Sequence, residues 1–411
     1  MKFKTRFWLG FSLFNLFVVA LLGTLMRYKI GFEFPYFNQK YIQYAHSHFA
    51  FAGWISHTIY TLLVWYLSQK IKDISVKHYD RLLAYNLLCS YGMLISFFIY
   101  GYSVSSIVLS TGTIVIACFF AFYFFRDLRK TEEKDRENNW FRAALWFNIL
   151  SSVGTFYLAY IMATRSFNEN WYLAAVYFYL HFQYNGFFFF SCLGLALNAL
   201  KDKFPEFPYS KSIFTLFFAS AIPAYFLSVL WAKIPLWLYA IVILAALVQL
   251  FGWLKVIVYL KKLKVQVSAP DKLSVYVFLF VILAFTIKLF LQLGSTVPII
   301  AKLAFGFRPI VIAYLHLVLL AVITVFLLVY SYVQNLIRRN VLSALGFVLF
   351  LSGVFFNELV LAIQGIASFS YFVIPKVNET LFVVALLLSA GALFLFISQF
   401  KQKSNTATAI D

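Results

Sequence analysis

Residues 309–334 read PIVIAYLHLVLLAVITVFLLVYSYVQ, a run with no Asp, Glu, Lys or Arg and with His316 as its single histidine. A bilayer core is crossed by about 20 apolar residues in helical conformation. The stretch therefore reads as a transmembrane helix, and the same ruler finds eleven more: 6–27, 41–68, 82–101, 104–125, 141–163, 172–199, 212–232, 236–259, 273–297, 341–367 and 380–399. Composition agrees. Of 411 residues, 63% are hydrophobic and 12% charged, with a mean hydropathy of +0.84. Globular domains carry about 25% charged residues. A soluble enzyme, a disordered regulator and a nucleic-acid-binding domain are all disfavoured. The expectation is one all-α polytopic domain, 1–400, in contact with the lipid bilayer, followed by a polar tail, 401–411.

The formal net charge is +19. Lys and Arg collect in cytoplasmic loops, so their placement orients a polytopic chain. With the N-terminus inside, the basic residues at Lys2, Lys4, Arg6, Lys70–Arg81, Arg126–Arg142, Lys201–Lys211, Lys255–Lys272, Arg338, Arg339, Lys401 and Lys403 all fall on the cytoplasmic side. Arg27, Lys29, Lys40, Arg165, Lys233, Lys302, Arg308 and Lys376 fall outside, and Lys288 is within a span. The bias predicts twelve helices with both termini cytoplasmic. The three cysteines, Cys89, Cys118 and Cys192, sit in apolar stretches and suggest neither a disulfide framework nor a thiolate metal cluster.

Ionisable groups inside a membrane are costly, so each is a functional candidate. They are His46, His48, His57, His181, Lys288, His316 and Glu358, while His78 reads as a loop residue. His46, His181 and His316 lie on the second, sixth and tenth helices at nearly one depth, in the outer third of the bilayer. Two readings stand for such a trio. One is a shared prosthetic group, since imidazole ligates haem iron and copper. The other is three histidines separately bonded to neighbouring carbonyls or hydroxyls. In YAHSHFAFAGWISHTIY (44–60), His46 and His48 are two residues apart and diverge by about 200° on a helix. His46 shares its face with Ala50, Gly53 and His57, so it is the expected inward ligand, with His48 second. His57 is expected to meet another group or a hydroxyl such as that of Tyr60. Lys288 and Glu358 both fall in the outer half, where an ion pair would avoid two isolated charges; alternatively Lys288 meets a haem propionate and Glu358 moves protons. Arg27 and Arg308, at outer helix ends, suit propionates or lipid headgroups.

Twelve spans with histidines on helices two, six and ten resemble subunit I of the haem–copper oxidase and nitric oxide reductase superfamily. The segment AYLHLVLLAV (313–322) is similar to that family's H-x-H segment, and AHSHFAF (45–51) to its low-spin haem segment. The resemblance implies a low-spin haem b between His46 and His316. It places Tyr314 where the family has the high-spin haem ligand. HFQYNGFFFF (181–190) is similar to the reductase-type His-x-x-x-Glu-Gly, which implies a non-haem metal at His181 with Asn185 at the Glu position. The family's His-His pair on helix seven has no counterpart in SIFTLFFASAIPAYFLSVLWA (212–232), so a copper or iron centre at His181 would lack two of its three family ligands, and Tyr314 leaves a second haem without its usual ligand. Tyr314, Asn185 and Glu358 are the catalytic candidates. The resemblance further implies a bacterial inner-membrane protein that transfers electrons or binds O2 or NO, with cytochrome c or a quinol as electron donor. The alternative is a cofactor-free transporter or assembly factor whose histidines and Lys288/Glu358 line a polar cavity.

Overall fold

The computed structural model describes residues 3–132, 136–201, 210–263 and 272–400. The tail 401–411 and the cations Lys2, Lys134, Lys203 and Lys264 lie outside the described residues. Among the described residues the chain is helical, with no strand. The helices in order are α1 (Thr5–Gly31), α2 (39–70), α3 (Lys77–Tyr100), α4 (Val104–Leu128), α5 (Glu137–Thr164) and α6 (169–201). They continue as α7 (Ser210–Ala221), α8 (Leu236–Leu263), α9 (Lys272–Gly294), α10 (Arg308–Val333), α11 (Val341–Phe369) and α12 (Val377–Ile397). A short helix, Pro298–Gly306, precedes α10.

Among the described residues, nine helices are long and apolar enough to cross a membrane, and the bent pair Lys211–Ala221 plus Pro223–Val229 makes a tenth. The protein is a multi-pass integral membrane protein. The expected spans 41–68 and 172–199 fall on α2 and α6, which are helical end to end. Each is divided by a π-helical segment, Ala50–Ser56 in α2 and Phe182–Phe188 in α6. A third such segment, Leu317–Thr324, interrupts α10. Among the described residues, π-helical segments occur in these three helices and in no others.

The same three helices form the centre of the bundle. From Phe51 to Val64, from His181 to Cys192 and from Val325 to Tyr332, nearly every residue is buried. Large apolar side chains such as Leu88, Phe122, Leu244 and Phe355 are exposed on the surrounding helices. Apolar side chains directed outward are expected of a protein solvated by lipid chains. At the end of the bundle that carries most of the basic residues, polar pairs tie the helices together. Trp8 donates to Asp80 at 2.7 Å, Tyr66 to Asn138 at 2.7 Å and Tyr79 to Asp127 at 3.0 Å. Arg6 donates to the carbonyl of Asn335 and Arg339 to the carbonyls of Tyr332 and Val333, satisfying groups that the end of α10 leaves free.

The π segments and the break after α7 have one physical consequence. Loosened helical turns release backbone carbonyls, which need another donor where no water is available. In α2, the carbonyl of Gly53 accepts from Asn15 of α1, and the carbonyl of Ala52 accepts from Asn86 of α3 at 3.1 Å. Trp54 of the same segment donates to Thr324 at 2.9 Å, joining the π segments of α2 and α10. At the α7 break, Pro223 opens a 3-10 turn in which the N–H of Tyr225 bonds Ile222 rather than Ala221. The Ala221 carbonyl, so released, accepts from His181 at 2.8 Å.

The helices α11 and α12 close the bundle against α1. A Cβ added at Gly391 would lie 2.5 Å from the backbone nitrogen of Phe350 and 2.7 Å from its Cα, so these backbones touch. Gly391→Leu should destabilise the fold by about 1–3 kcal/mol or more through overpacking. Thermal unfolding in detergent measures this. Gly10→Leu, with nothing within 4 Å of the added Cβ, should leave the transition unchanged.

Candidate functional site

Three histidines preface three π segments. His181 and His316 are the last residues before theirs, and His46 lies four residues before Ala50, whose N–H bonds the His46 carbonyl. Two of the three converge. His46 and His316 are electrostatic neighbours, Arg27 acts on both, and Arg308 acts on Arg27. The four side chains come from α1, α2 and α10. They form one cluster in the half of the bundle away from the basic end.

The hydrogen bonds of the two imidazoles are matched. His46 Nδ1 lies 3.0 Å from the carbonyl oxygen of Val19, and His316 Nδ1 lies 2.8 Å from that of Ile312. A carbonyl can only accept, so Nδ1 carries the proton in both rings and Nε2 holds the lone pair. Neither Nε2 bonds another described residue. Gly23 supports the His46 ring, since a Cβ there would sit 3.5 Å from His46 Cε1. Both rings are half-buried. Every residue of Arg308–His316 keeps some exposure, whereas Leu317 onward is largely buried.

At the edge of this cluster, Arg308 donates to Gln43 at 3.1 Å, one turn before His46 on α2. No carboxylate among the described residues pairs with Arg27 or Arg308. Two adjacent guanidinium groups without an acid form a ready carboxylate site. The donor set is therefore two neutral imidazoles with free Nε2 atoms beside two unpaired arginines. These residues fit a bis-imidazole haem with its propionates at the arginine end.

His48 turns elsewhere. Its Nε2 is 3.2 Å from the Tyr102 hydroxyl, and its ring stacks on Phe97 at 4.2 Å. Tyr314 diverges from His316 in the same way and has Tyr184 of α6 as its electrostatic neighbour. One face of α10 thus serves the His46 cluster and the opposite face serves α6.

The residues around α6 do not fit a metal. His181 donates through Nε2 to Ala221, and its Nδ1 accepts from the Asn185 amide at 3.2 Å. Both nitrogens are engaged, so no lone pair is free for copper or iron. No group of three His, Cys, Asp or Glu side chains among the described residues could hold a metal ion. The expected metal role of His181 is replaced by a bond to the carbonyl released at the α7 break, and Asn185 fixes the tautomer.

Lys288 and Glu358 form no ion pair. Lys288 is buried at 3% exposure, with its amine 5.3 Å from the centre of the Phe285 ring and His181 as electrostatic neighbour. Glu358 accepts from Asn357 at 3.1 Å. Lys288 is thus placed with the α6 residues, and it is not among the electrostatic neighbours of His46, His316 or Arg27. The Tyr60 hydroxyl accepts from Asn148 at 2.8 Å, and neither ring nitrogen of His57 bonds it. His57 instead meets Trp8 edge-on, ring centres 5.8 Å apart. Sequence reasoning missed Gln43 and the two carbonyls that set the imidazoles. It also missed the amides Asn15, Asn86, Asn148 and Gln183, which are as anomalous within apolar spans as the histidines.

Neither ring nitrogen of the fully buried His57 forms a hydrogen bond of normal geometry. An unsatisfied buried polar group costs about 1–3 kcal/mol, and an apolar side chain of similar shape removes that cost. His57→Phe should therefore match or exceed the parent in thermal stability. Clear destabilisation would show that the imidazole is bonded. No protein-family model and no curated protein matches this chain.

Proposed function

We propose that this protein is a divergent relative of subunit I of the haem–copper oxidases, with twelve spans and both termini cytoplasmic. In this reading it binds one low-spin haem b between His46 and His316 and serves electron transfer or a response to a diatomic gas. The observation that carries the reading is the pair of matched imidazoles, each with Nδ1 held by a backbone carbonyl and Nε2 free, beside an acid-free arginine pair. A carbonyl on the far ring nitrogen is the usual support of a ligating histidine, since it fixes the ring and its tautomer. The three π segments on helices two, six and ten support a relationship among the helices that the resemblance singles out.

His46 and His316 would hold the haem, which would supply a one-electron couple. The residues around it have separate tasks. Val19 and Ile312 orient the rings. Arg27 and Arg308 would neutralise carboxylates, and Gln43 holds Arg308 beside the His46 turn. With His181 fully hydrogen-bonded and no imidazole facing Tyr314, reduction of oxygen or nitric oxide at a haem–metal centre has no support. Lys288 and Glu358 form no pair, so a cofactor-free transporter would have to use them singly.

A reduced-minus-oxidised optical spectrum tests the reading. Protein purified in detergent from haem-replete cells should give a sharp low-spin b-type signal, lost in His46→Ala and in His316→Ala and retained in His48→Ala. Absence of haem from folded protein would refute it. Arg27→Gln should lower the midpoint potential, because removing a cation disfavours the added electron. The expected shift is on the order of 59 mV, a tenfold change in a one-electron equilibrium, and redox titration reads it directly.

A further inference from the structure

The helix α11 carries an acid at the edge of its lipid-facing surface. On one side α12 covers it, where a Cβ added at Gly353 would lie 2.8 Å from Leu388. On another side α10 covers it, where Gly365 meets Ile310 and Phe347 meets Tyr332. The face between these carries the exposed Phe355, Ala362 and Ile366, with the half-buried Leu351 and Glu358 at its edge. These residues are spaced by three and four, so they fall within about 80° of one another on a helix. They form the kind of seam by which two helices pack together.

Glu358 sits where the buried stripe of Leu361 and Gly365 gives way to that seam. Its Oε1 accepts from Asn357 at 3.1 Å. Its Oε2 bonds no described residue and is not closed off by its neighbours. No Lys, Arg or His among the described residues pairs with it. Lipid chains neither donate to a carboxyl nor accept from it, so an acid left against them is costly. Among its described residues the single chain supplies no group for Oε2, so whatever covers the seam has to.

We infer that a second copy of this chain covers it, α11 against α11. Two copies inserted with the same topology are related by a two-fold axis along the membrane normal. That axis sets the two helices parallel and brings each seam residue against its own counterpart. Glu358 then faces the partner's Glu358. Carboxylic acids are self-complementary, because a protonated acid donates its O–H and keeps an acceptor. The pair thus satisfies both acids without burying a charge. Ala362, one turn further along the seam, lets the two helices approach closely. Phe355 and Ile366 supply the apolar contact on either side. A single polar residue in an apolar seam also fixes register, since any slip leaves both acids against lipid. This inference needs the bilayer but not the haem.

Counting photobleaching steps tests it, on the purified full chain carrying one fluorophore and reconstituted in phosphatidylcholine–phosphatidylglycerol vesicles at falling protein density. A monomer–dimer equilibrium is expected. Glu358→Leu should weaken it about tenfold, the worth of an interhelical polar contact in lipid. Glu358→Gln should retain it, because an amide also donates and accepts. Ala362→Trp, an exposed position where the fold is not at risk, should weaken it at least as much. Ile363→Trp, exposed on another side of α11, should not. His316→Ala should dimerise as the parent does, which separates this interface from the proposed haem site. Single-step bleaching at every density would overturn the proposal and leave lipid alone as the cover of α11. A dimer that Glu358→Leu or Ala362→Trp leaves unchanged would overturn it too, because another face would then hold the copies together.

Discussion

A carbonyl released from its helix has to find another donor when no water is near. In this protein that constraint organises the centre of the bundle. The three interior helices are also the three with π segments, and the carbonyls loosened in α2 are taken by amides of α1 and α3. The break after α7 releases another, which His181 takes. The amides and imidazoles that punctuate the apolar spans are thus the partners of irregular backbone. They pin neighbouring helices at fixed depth without requiring charge.

Within that frame the three histidines separate by what their nitrogens do. His181 is closed on both sides and belongs to the scaffold. His46 and His316 are each closed at Nδ1 and open at Nε2, and they lie together with Arg27 and Arg308. Donating one ring proton to the main chain orients an imidazole, and keeping the other nitrogen bare leaves it able to ligate. The arginines add the complementary requirement. Two neighbouring cations with no acid to balance them are costly within a membrane unless an anion reaches them.

Much of this was legible in the sequence, and the limits have physical reasons. The long apolar helices follow from apolar length, and the divergence of His46 from His48 follows from helical pitch. Tyr314 diverges from His316 by the same rule, toward Tyr184. The π segments left no sequence signal, because AFAGWIS and LVLLAVIT have compositions ordinary for a membrane helix. Without them the role of His181 was unreadable: the carbonyl it serves exists only because Pro223 breaks α7 some forty residues later. The expected Lys288–Glu358 pair failed because equal depth says nothing of azimuth. Lys288 turns toward His181, and Glu358 lies on the stripe of α11 that also carries Leu361 and Gly365. Asn148 and Gln183, bonded to each other at 2.9 Å, carry no charge and so give none of the signal that marks an ionisable group in an apolar span.

The most direct test is a cryo-electron microscopy map of the full chain purified from haem-replete cells. The account predicts planar density between His46 and His316, bonded to both Nε2 atoms, with its carboxylates reaching Arg27 and Arg308. A map in which protein side chains fill that cleft, or in which Nε2 of either histidine bonds a protein group, would contradict it.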